Sequence, residues 1–308
     1  MYYSFIQINS KTQLLKKDKN MTNVNTDRIL CSTGTMVGRE NDFNYRRAVD
    51  VIASLKEDGL LLGGELMMLK HYYDKKEEVV NYVNFSGVPF PVIHCEKGVG
   101  TDLSHAAFLE HIGDYCGADE LLENTFKIFR LNCSFGEAVG AKAMVLHLWG
   151  GEDSDSHVKY NCDKLSELFA IAASHGIRLL IENVPSTTND PLSNWHRALD
   201  AHPGCGLIFD TRFATLHDQV KETLSDPLVQ FNLCHVHVSD FVGGFKNFAA
   251  LRPILHPLEG VVDFDLVTEL LHGMNYSGTV TLESPVICGD ELDTQKLEAS
   301  LKFIAEHF

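Results

Sequence analysis

The chain has 308 residues, with a hydrophobic share of 44% and a charged share of 22%, enough for one large domain with a substantial core. No apolar run approaches the roughly 18 residues needed to span a bilayer, which excludes membrane insertion. The formal net charge of -16 repels a phosphate backbone and disfavours long nucleic acid as a partner.

In chain order, the first segment stands apart. Tyr2 to Ile8 is apolar and is followed by Lys16, Lys17 and Lys19, the reverse of a secretory signal, which puts its charge first. Residues 1–24 are expected to be a disordered extension, with Met21 just ahead of the first convincing strand. From there on, short apolar runs alternate with amphipathic stretches. Strands are expected at Ile29–Thr33, Leu60–Met68, Phe90–His94, Ala143–His147, Arg178–Glu182, Gly206–Asp210, Leu233–His237 and Thr279–Glu283. Helices are expected at Tyr45–Lys56, across Leu103–Val139 with a break, at Val158–His175, from Pro191 to about His202, within Leu216–Leu224, at Phe264–His272 and at Leu292–His307. Pro191 suits the first turn of a helix, and His175-Gly176 suits a helix stop. Eight strands with intervening helices favour a closed (β/α)8 TIM barrel over residues 25–308, a fold that needs about 250 residues. No internal linker or repeat divides it.

Eight cysteines are scattered without a Cys-x-x-Cys pair, which is neither a disulfide framework nor a thiolate zinc site. A reducing cytoplasm is the natural setting for such a chain.

The chemistry lies in how the strands end. Phe90-Pro-Val-Ile-His94, Ala143-Met-Val-Leu-His147, Arg178-Leu-Leu-Ile-Glu182, Gly206-Leu-Ile-Phe-Asp210, His235-Val-His237 and Thr279-Val-Thr-Leu-Glu283 each finish a buried-looking run on a metal ligand or acid/base group. In a barrel these ends meet on one face. One Glu or His at a strand end is ordinarily a cap or a solvated side chain. Glu182, Asp210, His237 and Glu283 together are another matter, because three carboxylates and an imidazole converging repel one another unless a cation joins them. Such an oxygen-rich shell suits one Mn²⁺ or Mg²⁺, and also admits Zn²⁺ or Co²⁺.

At these residues the chain resembles the xylose-isomerase-like barrel superfamily of sugar and sugar-phosphate isomerases and epimerases, which also includes the apurinic-site endonucleases. The resemblance rests on Ile181-Glu182-Asn183, Phe209-Asp210-Thr211, His235-Val-His237-Val-Ser-Asp240, His256-Pro-Leu-Glu-Gly260 with Val262-Asp-Phe264, and Tyr276-Ser-Gly-Thr-Val-Thr-Leu-Glu283. It implies that Glu182, Asp210, His237 and Glu283 hold the metal and that Glu182 and Glu283 also move protons. His94 and His147 match positions that bind a second metal in the endonuclease branch and line the substrate pocket in the sugar branch. Arg252 stands where the sugar branch often grips a hydroxyl or an anionic group. Arg212, Trp149 and Glu65 are further candidates for the mouth, Trp149 as a platform for a sugar face. Families of this kind commonly form dimers and tetramers, so a homo-oligomer is compatible with the resemblance.

Two positions depart from the pattern. Phe213 stands where the endonucleases, and many epimerases, have a histidine three residues after the strand-six aspartate. Of an Asp-x-His in the strand-seven loop, only His256 remains. The expected function is therefore a metal-dependent carbohydrate isomerase or epimerase acting by proton transfer through an enediolate on a small substrate. The alternatives are a dehydratase of a polyol-derived ketone, a phosphodiesterase like the apurinic endonucleases, and a non-catalytic sugar-binding barrel.

Overall fold

A computed structural model describes residues 26–150 and 154–308; the extension expected over residues 1–24 lies outside them. Eight parallel strands close into a barrel in chain order, each hydrogen-bonded to its sequence neighbours and the last to the first. They are β1 (Ile29–Ser32), β2 (Gly63–Met67), β3 (Val92–His94), β4 (Ala143–Leu146), β5 (Arg178–Glu182), β6 (Gly206–Asp210), β7 (Leu233–Val238) and β8 (Thr279–Leu282). The expected (β/α)8 architecture is the observed one.

The strands begin and end close to expectation, with local reasons for the differences. Pro91 lacks the N–H that a ladder uses, so β3 starts only at Val92. Thr33 leaves β1 for a 3-10 turn in which Ser32 Oγ accepts the Gly34 N–H.

The crossovers carry α1 (Tyr45–Glu57), α2 (Lys76–Phe85), α3 (Gly98–His111), α4 (Tyr115–Val139), α5 (Val158–Asp163), α6 (Leu165–Ser174), α7 (Pro191–Ala201), α8 (Thr211–Leu216), α9 (Val220–Ser225), α10 (Pro227–Asn232), α11 (Phe264–Gly273) and α12 (Thr294–His307). The long region from Leu103 does break. Gly113 turns in the left-handed region, and Asp114 caps α4 by accepting the Gly117 N–H. The Val158–His175 helix breaks at Lys164. Between β6 and β7 stand three short helices in place of one, divided by Asp218 at positive φ and by the Asp226-Pro227 cap.

Helix α2 has no counterpart in the sequence-based expectation. Its buried residues are Val79 and Val83, a narrow stripe masked in the sequence by Phe85, which is 91% exposed. A two-residue turn through Gly289 and Asp290 joins a small hairpin, β9 (Ile287–Cys288) and β10 (Glu291–Leu292), beside the mouth.

Two packing systems hold the ring. Outward side chains of the strands join the helices in one large core, whereas Leu30, Val92, Val145, Leu180 and Ile208 form a separate layer inside the barrel. The crossovers pack tightly where they return over the mouth. A Cβ on Gly100 in α3 would meet the His147 carbonyl oxygen at 2.3 Å, so only glycine lets this helix lie against the end of β4. No helix of the described residues is long and apolar enough to cross a membrane.

Candidate active site

Side chains alternate along a strand, so the residue two places beyond each inner-layer apolar residue also points inward. From Leu30, Val92, Val145, Leu180 and Ile208 that step reaches Ser32, His94, His147, Glu182 and Asp210. An apolar floor therefore carries a polar layer one step higher. On the β7–β8–β2 side, the inward positions are polar lower down as well, with His235, Thr279, Thr281 and Glu65 hydrogen-bonded to one another.

Residues flanking the strand ends clamp this layer. Asn183 Oδ1 accepts the Asp210 N–H at 2.6 Å and its Nδ2 donates to the Asp210 carbonyl at 3.2 Å, which ties the end of β5 to that of β6. Thr211 Oγ1 donates to the Ser239 carbonyl at 2.8 Å and accepts the Ser239 N–H at 3.2 Å, tying β6 to β7. Asp240 then organises the loop after β7 by accepting the N–H groups of Gly260 and Val262. The motif residues beside the charged strand ends are thus largely architectural.

Glu182, Asp210, His237 and Glu283 present donor atoms that all lie within 4.8 Å of one another. His237 Nδ1 is 3.2 Å from Glu182 Oε1 and 3.5 Å from Glu283 Oε2, while its Nε2 donates to Glu65 Oε2 at 3.1 Å. Burial disfavours a charged ring, but Glu283, Glu65 and Glu182 outweigh it and hold the His237 imidazole well above its ordinary pKa. Burial likewise works to raise Glu182, yet the imidazoles of His147 and His237 keep its carboxyl well below the usual range. Asp210 goes the other way. Burial pushes it up to about 6, Arg212 opposes the rise, and Glu182 and Glu283 add to it.

A divalent cation fits this donor set. One imidazole there faces three carboxylates, Glu283 Oε1 is buried without a hydrogen-bond partner, and Glu182 Oε2 meets only imidazole nitrogens. Buried, unpaired carboxylate oxygens are costly unless a charge meets them. His94 and His147 join the same cluster from β3 and the end of β4. His147 Nε2 approaches Glu182 Oε2 at 2.6 Å and His94 Nε2 approaches it at 3.5 Å, and neither ring nitrogen has an aligned hydrogen-bond partner. The Nδ1–H of His94 donates to the Cys95 carbonyl, which turns Nε2 toward the site. Burial pulls His147 down to about 4, against the attraction of Glu182.

The mouth opens into a cavity of about 540 Å³ whose walls include His147, Glu283, Arg212 and Arg252. Of the substrate-contact expectations, Arg252 lies exposed at the rim, His147 lines the wall and His94 is fully buried behind it. Trp149 is no platform for a sugar. It is fully buried with its Nε1–H donated to the Val184 carbonyl, so it packs the loop after β4. Glu65 lies beneath the mouth, bonded to His235 and His237. His256 is no ligand remnant either, since its ring nitrogens face Ser300 Oγ and the Pro285 carbonyl. The buried Arg212 reaches the cavity as expected of a mouth residue, and Lys97 reaches it too, from a position before α3 that carries no periodic signal in the sequence.

Among known families, the model described as the xylose isomerase-like TIM barrel matches residues 53–307. The chain belongs to this family. No curated protein matches this xylose isomerase-like barrel. Similar solved structures include 3-keto-D-glucoside 4-epimerase from E. coli, 20% identical with a TM-score of 0.60, covering 91% of this chain and 99% of that one. D-allulose 3-epimerase from Methylomonas sp. is 15% identical with a TM-score of 0.63, covering 91% and 98%. The IolI protein with a bound zinc atom is 13% identical with a TM-score of 0.64, covering 91% and 99%. At these identities the likeness is one of fold.

Proposed function

We propose that this xylose isomerase-like barrel is a divalent-metal-dependent isomerase or epimerase of a small carbohydrate, working by proton transfer beside a carbonyl. The observation that carries the reading is the pair Glu182 and Glu283. They come from strands three places apart in the ring, their donor atoms lie within 4.8 Å of those of Asp210 and His237, and Glu283 also lines the open cavity. The epimerase activities of two similar barrels and the zinc in a third fit this reading.

A divalent ion bound by Glu182, Asp210, His237 and Glu283 supplies Lewis-acid polarisation of a carbonyl, which acidifies the neighbouring C–H. The chain's own groups then do the proton work. Glu283, with Oε1 free of partners, takes or returns the proton from the cavity side. Glu182 stays ionised between His147 and His237 and serves the other side of the same carbon skeleton. His147, kept neutral by burial, and Arg252 line the cavity as substrate contacts, and His94 backs the site from behind His147. All eight cysteines are free thiols, which suits a cytoplasmic protein.

One observation favours a second reading, phosphodiester hydrolysis: His94, His147 and Glu182 also bring their donor atoms within 4.8 Å of one another, as a second ion requires. Phe213 in place of a histidine and the occupied ring of His256 count against it. The test is to incubate Mn²⁺-loaded protein in D₂O with a panel of ketoses and follow carbon-bound protons by NMR. Exchange with at least one ketose is expected. Failure across the panel, together with incision of abasic duplex DNA, rejects the isomerase reading in favour of the hydrolase.

A further inference from the structure

Arg212 has no role in the proton chemistry, yet it is only 5% exposed and forms part of the cavity wall. Its side chain makes a single hydrogen bond among the described residues, from Nη2 to Asp210 Oδ2 at 3.4 Å, and its buried Nε–H has no partner at all. The guanidinium lies 5.0 Å from the centre of the Phe213 ring. A guanidinium carries five N–H donors in a geometry matched to carboxylate or phosphate oxygens. Burying it with one long contact is costly unless something else meets it.

The neighbouring charges point the same way. Three carboxylates around a divalent ion leave one negative charge and the buried Glu65 behind His237 adds a second, of which Arg212 balances one. Arg252 and Lys97, also on the cavity wall, bring two positive charges against the one negative charge that remains, and neither has an ion-pair partner among the described residues. Strands β6 and β7 are neighbours, so Arg212 at the start of α8 and Arg252 in the loop after β7 rise side by side, whereas Lys97 comes from the end of β3 across the ring. Two guanidiniums, one deep and one at the rim, therefore face the cavity from one side in a chain whose net charge is -16. Background surface charge does not account for that.

We infer that the carbohydrate taken by this site carries an oxyanion, a carboxylate or a phosphate, seated by Arg212 and Arg252. This inference rests on the isomerase reading above and specifies its substrate class. Catalysis remains with the glutamates, and the two arginines determine specificity.

The test measures affinity of the Mn²⁺-loaded protein by calorimetry for D-fructose, D-fructuronate and D-fructose 6-phosphate, which share a skeleton and differ at C6. At least one anionic ketose should bind about tenfold or more tightly than D-fructose, and the arm that does so separates carboxylate from phosphate. Arg252→Gln, at an exposed position that leaves the fold intact, should lower that preference several-fold. Arg212→Gln should abolish most of the remainder, and Arg212→Lys, which keeps the charge but not the fork, should fall between. Mn²⁺ affinity measured in each variant separates lost anion binding from a disturbed Asp210. Equal binding of all three ketoses, no binding of any, or a preference that survives both glutamine variants overturns the inference. Deuterium exchange at a substrate carbon tests the isomerase reading separately: exchange without anion preference rejects only the inference, and anion preference without exchange rejects only the isomerase.

Discussion

Glu65 and His237 are 172 residues apart in the chain and meet at 3.1 Å, Oε2 to Nε2, on the face of the imidazole turned away from Glu182. The same carboxylate oxygen takes His235 Nε2 at 2.9 Å and Thr281 Oγ1 at 3.2 Å. A carboxylate behind an imidazole fixes the ring's orientation and keeps Nε2 protonated, so that Nδ1 is the nitrogen available to a cation.

Glu65→Leu should therefore weaken Mn²⁺ binding by about 10- to 100-fold. Glu65→Gln, which keeps an acceptor oxygen but not the charge, should lose less. Equilibrium dialysis reads both. Unchanged Mn²⁺ affinity in the leucine variant would show that His237 is oriented without help from Glu65.

Protein purified without chelators should hold about one equivalent of divalent metal per chain, removable by EDTA and restored by Mn²⁺. Elemental analysis checks the count. Two equivalents, with the second lost in a His94→Ala/His147→Ala double variant, would return weight to the hydrolase.

Glu182→Gln and Glu283→Gln keep side-chain shape and remove the basic oxygen. Each should reduce deuterium exchange at a substrate carbon by at least ~10² at saturating metal. Because the two carboxylates approach from strands three places apart, one variant should retain exchange on its intact side while failing to complete turnover. Near-parental turnover in both would remove the glutamates from the proton path.

Asp155 offers a pH test away from the Glu182, Asp210, His237 and Glu283 cluster. Its buried carboxylate accepts the backbone N–H groups of Thr187, Thr188 and Asn189. Burial tends to raise its pKa, but those bonds and the Asn194 amide hold it below the usual value. A depressed folded pKa means stabilisation that is fully present above the unfolded value of about 3.9 and is lost as pH falls through the folded one. Asp155→Asn should thus melt below the parent at pH 7 by an amount equivalent to about 2 kcal/mol, and the gap should begin to narrow as pH falls below about 4 and shrink further toward the folded pKa. A gap that stays constant from pH 7 to pH 3.5 would mean that the carboxylate's charge plays no part.

The barrel and its charged strand ends were legible before any coordinates. Strands of a parallel barrel are buried on both faces, so each reads as an unbroken apolar run, and a charged residue closing such a run is conspicuous. Runs such as Arg178–Glu182 and Gly206–Asp210 are legible in that way, and the closed ring brings their ends together as the reading required. Helix α2 was not legible, because two buried valines beside an exposed phenylalanine leave too faint a period.

Tertiary structure alone decided what each side chain faces. Trp149 and His256 are sensible mouth residues by position, yet one packs under a loop and the other is held between Ser300 and Pro285. Arg212 and Glu65 differ by the opposite token: only the closed ring turns one into the cavity and sets the other against His237. Periodicity along a strand determines which residues share a side of the sheet and where the run stops. It carries no information about contacts across the barrel or between loops. Those arise from ring closure, which joins residues such as Glu65 and His237 that no local pattern connects.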